Sequence, residues 1–142
     1  MTKILYLPLD ERPCNWIFPR ELFNNQEIEI LRLPDQFRGY KKNGADVFGV
    51  LEFVRDNYMG VDGLVISLDM LIYGGLIPSR LHYLETLELI KRLSILEEMK
   101  KQFPNLIIYG YSTIMRCPSY NSTDEEHEYY GRYGRNIYDY GV

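Results

Sequence analysis

The chain has 142 residues, 46% of them hydrophobic, and a formal net charge of −4. That length suits one domain with an ordinary core and argues against wholesale disorder. A slightly acidic balance argues against nucleic acid as the main partner, because a phosphate backbone is met by clustered Lys and Arg. Two cysteines, Cys14 and Cys117, are too few for a disulfide framework and read as reduced thiols.

The N-terminus enters a short apolar run, Ile4 to Leu9, which reads as a buried strand. Pro8 donates no ladder hydrogen bond and belongs at the strand's exit. Asp10-Glu11-Arg12 stops the run without a small-residue cleavage site, so no signal peptide is expected. No apolar stretch approaches the about 18 residues of a membrane span, and the expected compartment is the cytoplasm. Asp10 to Asn15 is then the first loop after a strand. Asn15 is placed to cap a short helix with Pro19 in its first turn and Leu22 and Phe23 facing inward.

Glu27 to Ile30 alternates and predicts a second strand. Leu33 to Asn43 is polar and reads as a loop. Ala45 to Tyr58 predicts a helix, with Val47, Val50, Leu51, Val54 and Tyr58 on one face and Gly60 as its stop. Gly63 to Leu68 is the clearest strand, apolar on both faces as a central parallel strand should be. It ends at Asp69. The segment from Met70 to Arg80, with Gly74-Gly75 and Pro78, reads as an unusually apolar loop packed under something. Leu84 to Gln102 predicts the longest helix, with Leu89, Leu93, Leu96, Met99 and Phe103 as an inward stripe and a Glu88–Arg92 pair. Leu106 to Tyr109 is the fourth strand.

The βαβαβαβ order predicts an α/β fold. It is a three-layer, mostly parallel sheet of four to five strands with helices on both faces, complete in itself or part of a larger α/β domain or barrel. The expected division is an α/β layer domain over 1–110 and a tyrosine-rich segment over 111–142. Seven of the 13 tyrosines fall between Tyr111 and Tyr140. So aromatic a segment is expected to pack on the domain or to lead into further structure. The acidic run from Asp124 to Glu128 reads as a helix start capped by Ser122 or Thr123.

Ligands of parallel α/β folds bind beyond the carboxyl ends of the strands, and the unusual polar residues recur there. Asp10, Glu11 and Asp69 are the candidate catalytic carboxylates. Arg12, Asn15, Tyr73, Arg80, Arg116 and Asn121 are the candidate substrate-binding residues. Two carboxylates in one cleft suit acid and base or nucleophile roles in glycosyl transfer. They equally suit Mg²⁺, which takes hard oxygen ligands, although no cofactor is required by the sequence. The arginines suit a carboxylate or phosphate on the substrate. The plain alternative is that Asp10 caps the next helix and Arg12 pairs with Glu11 in solvent. His82 and His127 are too few for a zinc motif, and Gly74-Gly75 lacks the lysine and spacing of a phosphate loop. Cys14 at a helix start lacks a nearby His base in sequence.

Three segments together resemble a bacterial family of uncharacterised proteins, the domain-of-unknown-function family 4127. They are Leu9-Asp10-Glu11-Arg12-Pro13-Cys14-Asn15, the stretch from Ser67 to Arg80, and Met115-Arg116-Cys117-Pro118 with Tyr120-Asn121. Members of that family are typically several times longer than this chain. The resemblance therefore implies a truncated piece whose site is incomplete by itself, and it supplies no reaction. The leading expectation is a hydrolase-like, carbohydrate-processing active site acting on a small-molecule or sugar substrate. A Mg²⁺ or phosphoryl-ligand site is one alternative. A non-catalytic scaffold that self-associates through an incomplete surface is the other.

Overall fold

The computed structural model describes residues 1–141 of the chain. It divides into two compact units, Met1–Ser112 and Thr113–Val142.

The first unit is built on four parallel strands: β1 (Thr2–Leu7), β2 (Ile28–Arg32), β3 (Gly63–Ser67) and β4 (Ile107–Tyr111). Their order is β2-β1-β3-β4, and the sheet is open. The order reverses direction at β1, which pairs with β2 on one side and β3 on the other. The helices are α1 (Pro13–Trp16), α2 (Phe18–Phe23), α3 (Val47–Asn57), α4 (Leu68–Tyr73), α5 (Leu76–Leu81) and α6 (Thr86–Gln102).

Alternation along the strands splits the sheet into two unlike faces. Leu5, Leu7, Leu64 and Ile66 share one face and are wholly buried. They pack on Val50, Leu51 and Val54 of α3, Met70 and Leu71 of α4, and Ile95 and Met99 of α6. Each such side chain contributes roughly 1.5–3 kcal/mol of apolar burial. Ile4, Tyr6, Val65, Ile107 and Tyr109 share the other face. There α2 supplies Pro19 and Phe23 over Ile4, Ile28 and Ile30. On β4, Ile107 and Tyr109 stay exposed. The fold is thus a three-layer α/β arrangement with one thick and one thin helical layer. Among the described residues no helix is long and apolar enough to cross a membrane.

Several local expectations shift for physical reasons. Met70 to Arg80 is not a loop but α4, a tight turn and α5. Ser67 starts α4, its hydroxyl accepting the Met70 N–H at 3.2 Å. Gly74 ends it in the left-handed conformation at φ 84°. Loss of that start is measurable: Ser67→Ala is expected to cost about 1 kcal/mol in urea unfolding, and an unchanged midpoint would show the cap to be idle. Asn15 lies within α1 rather than capping it, and Leu22 and Phe23 are exposed. On α6, Leu89, Leu96 and Met99 face the core as expected and Ile95 joins them, while Leu93 and Phe103 are exposed. Arg92 lies on the same inward face, its side chain 11% exposed. Its Nη1 donates to the Ile72 carbonyl at 2.5 Å, and its Nε pairs with Glu88 at 2.9 Å.

The second unit holds one helix, α7 (Tyr130–Gly141). The acidic run before it is irregular chain, not a helix start, and the Ser122 hydroxyl accepts the Asp124 N–H at 3.2 Å. Gly134 lets α7 approach closely, since a Cβ there would lie 2.5 Å from the Tyr120 carbonyl oxygen.

Candidate functional site

The chain turns sharply where β1 ends, and Asp10 organises the turn. It is buried, 4% exposed. Oδ1 accepts the Arg12 backbone N–H at 3.1 Å and the Asn15 side-chain N–H at 2.7 Å. Oδ2 accepts Arg12 Nε at 2.8 Å and Nη2 at 2.5 Å. A carboxylate offers about four lone-pair directions, and all four are taken. Burial pushes the Asp10 carboxyl up, but the donated hydrogen bonds of Arg12 and Asn15 and the guanidinium charge outweigh it. The net effect holds the group below its ordinary value. Arg12 thus pairs with Asp10, and its side chain stays half-exposed.

Asn15 is held at three points. Its N–H donates to the Arg12 carbonyl at 2.9 Å, its amide to Asp10, and its own carbonyl accepts the Tyr6 hydroxyl at 2.8 Å. Glu11 points elsewhere and ties down a neighbouring turn. Its carboxylate accepts the Lys41 N–H at 2.8 Å and its carbonyl accepts Arg38 Nη2 at 2.7 Å.

Asp69 sits in the first turn of α4 and is 6% exposed. The N-terminal end of a helix favours negative charge. The strand order makes β1 and β3 neighbours, so the Asp10 and Asp69 loops adjoin. Gly75 joins them: its N–H donates to the Asp69 carbonyl at 3.1 Å, and a Cβ built on it would lie 3.9 Å from Asp10 Cβ. Tyr73 packs on the His82 ring at 4.6 Å between centroids, and the His82 Nδ1 accepts the Leu84 N–H at 3.1 Å. Arg80 is half-buried at the end of α5.

Three residues missing from the sequence-based list complete the cluster. Tyr111 is the last residue of β4 and stands in register with Ser67. Its phenol is influenced by neighbouring Tyr6 and Ser67 and by the charges of both Asp69 and Asp10. Burial, reinforced by those carboxylates, raises the Tyr111 phenol above its ordinary value despite the opposing contacts with Tyr6 and Ser67. Burial, then Tyr111, then Asp10, hold the Tyr6 phenol higher still. Both are neutral hydrogen-bonding hydroxyls. A useful signal was present in the alternation: Tyr6, Ser67 and Tyr111 each fall on the less covered face at a strand end.

Arg116 and Asn121 belong to the second unit. There Arg116 Nη2 reaches the Tyr120 hydroxyl at 3.3 Å, and Asn121 Oδ1 accepts the Arg135 N–H at 2.9 Å. Among the described residues no group of three or more His, Cys, Asp or Glu stands together as a metal-holding cluster.

No curated protein and no solved structure matches the chain. One family model, described as a protein of unknown function, matches residues 4–142, essentially the whole length. The chain belongs to that family, DUF4127.

Proposed function

We propose that the carboxyl edge of the sheet is a small-molecule site of the hydrolase-like, carbohydrate-processing kind. The observation that carries this reading is the convergence of Asp10, Asp69, Tyr6, Ser67 and Tyr111 at the ends of adjacent parallel strands. Buried carboxylates, neutral hydroxyls and an oriented amide are groups that bind a polyhydroxylated substrate.

The two acids have different roles in this reading. Asp10 has every lone-pair direction engaged and stays ionised, so it aims Arg12 and Asn15 and balances charge. Asp69 is the carboxylate that acts on the substrate. Glu11 serves by holding the turn at Lys41. Arg12, half-exposed and oriented by Asp10, faces the substrate's polar groups, with Tyr73 and Arg80 on the following helices completing the rim.

The test is binding and turnover across a panel of mono- and disaccharides and nitrophenyl glycosides, followed by magnetic resonance and absorbance. Asp69→Asn is expected to lower turnover by about 10²–10⁴-fold in a protein that remains folded under the assay conditions. A panel with no bound member, or an Asp69→Asn variant that binds and turns over as the parent does, sinks the reading.

A further inference from the structure

The polar cluster continues into an apolar groove on the thinly covered face of the sheet. The groove has a volume of about 280 Å³. Ile4, Tyr6, Val65, Ile28 and Ile30 form its floor, and Pro19 and Phe23 of α2 form its wall. No charged side chain lines it. Its size is near the lower end of ligand pockets, which run from about 300 Å³ upward.

One residue belongs to both regions. The Tyr6 ring lines the groove, while its hydroxyl donates to the Asn15 carbonyl and meets Tyr111. Asn15 in turn is bonded to Asp10. A ligand whose polar part lies at Asn15 and Tyr111 would therefore have the groove directly beside it. The groove's wall is also open to solvent, with Phe23 58% exposed. Water gains nothing by contact with such a surface, and an apolar chain laid there removes both apolar surfaces from water.

We infer that the substrate is an amphiphile, a sugar or polyol joined to an alkyl or aryl group, with its apolar part lying in the groove between α2 and the β2-β1-β3 strands. This rests on the proposed function for the polar end. The groove and the polar edge then form one elongated site hinged on Tyr6. Substrate discrimination follows from two unlike ends: hydroxyl-bearing groups are read at Asn15 and Tyr111, and chain length is read along Ile4, Ile28 and Ile30.

The experiment is calorimetric titration of the intact protein with methyl, butyl, hexyl and octyl β-glucoside, each below its micelle concentration, and with octanol. Affinity is expected to rise roughly fourfold per added methylene until the groove is full. Phe23→Ser, at an exposed position, is expected to flatten that dependence. Equal affinity for the methyl and octyl compounds overturns the groove assignment even if sugar binding persists. So does a chain-length dependence that Phe23→Ser leaves intact, and so does sedimentation showing a dimer of the chain that Phe23→Ser dissociates. Octanol binding as tightly as octyl glucoside would support the groove and overturn the carbohydrate reading of the polar end, so the two failures are distinguishable.

Discussion

Gly74→Ala is expected to bring the first unit close to unfolding. Gly74 has φ 84°, a left-handed conformation that costs an L side chain about 1–2 kcal/mol. The new Cβ would also lie 2.7 Å from the Ala45 carbonyl oxygen and 2.9 Å from its nitrogen. Those are backbone atoms, held in place because the Ala45 N–H donates to the Gly74 carbonyl at 2.8 Å. Overpacking of this kind costs a further 1–3 kcal/mol or so. The sum, roughly 2–5 kcal/mol, is a large share of a domain's typical stability of about 5–15 kcal/mol. Gly60→Ala is the control, since a Cβ there meets nothing within 4 Å. Equilibrium urea unfolding of the two variants decides the matter: equal midpoints would mean that the Gly74 turn bears no strain. The same turn carries Gly75 beside Asp10, so ligand binding should fall with stability in Gly74→Ala.

Asp10→Asn is expected to show the second large effect, and its pH dependence is diagnostic. Every group around Asp10 is a donor. An asparagine replaces one acceptor oxygen with an N–H₂ and sets donor against donor. Loss of charge-assisted bonds to a buried carboxylate costs about 1–3 kcal/mol, with the lower half expected because Arg12 is half-exposed.

The sign follows from the lowered carboxyl. The ordinary value is 3.8 and the folded value lies below it. The stabilisation is therefore complete above the unfolded value, at about pH 5 and higher, and is lost as the pH falls through the folded value. The parent protein should exceed Asp10→Asn in stability at neutral pH, and the gap should close in acid. A gap of constant size from about pH 7 to pH 3 would show that the charge contributes nothing. Under the proposed function the variant also weakens sugar binding, because Arg12 and Asn15 lose their common anchor.

Much of this architecture was legible in the chain. The apolar run Ile4 to Leu9, stopped by Asp10, and the run Gly63 to Leu68, stopped by Asp69, carry enough local signal to define strands and their ends. With helices between them, the parallel sheet follows from the short connections and the handedness of crossovers. The helix starting at Ser67 was hidden because Gly74, Gly75 and Pro78 are read as loop formers. Here each serves a helix: Gly74 closes α4, Gly75 precedes α5, and Pro78 lies in the first turn of α5. The inward place of Arg92 on α6 was hidden for a different reason. Arg92 is counted as a surface residue by pattern, yet the Ile72 carbonyl gives its guanidinium a buried partner.

Asp10 and Asp69 as the polar ends of buried strands were determined by the sequence alone, through local hydrophobic patterning. Their surroundings were decided only by the tertiary structure. Pairing of β1 with β3 set the two loops side by side, and the Arg12 and Asn15 side chains filled every acceptor direction of Asp10. Tyr111 joined them from the far end of the chain's first unit because β4 pairs in register with β3. Hydrogen-bond directions and strand register are long-range quantities, so residues adjacent in space but over a hundred positions apart leave no mark in local pattern.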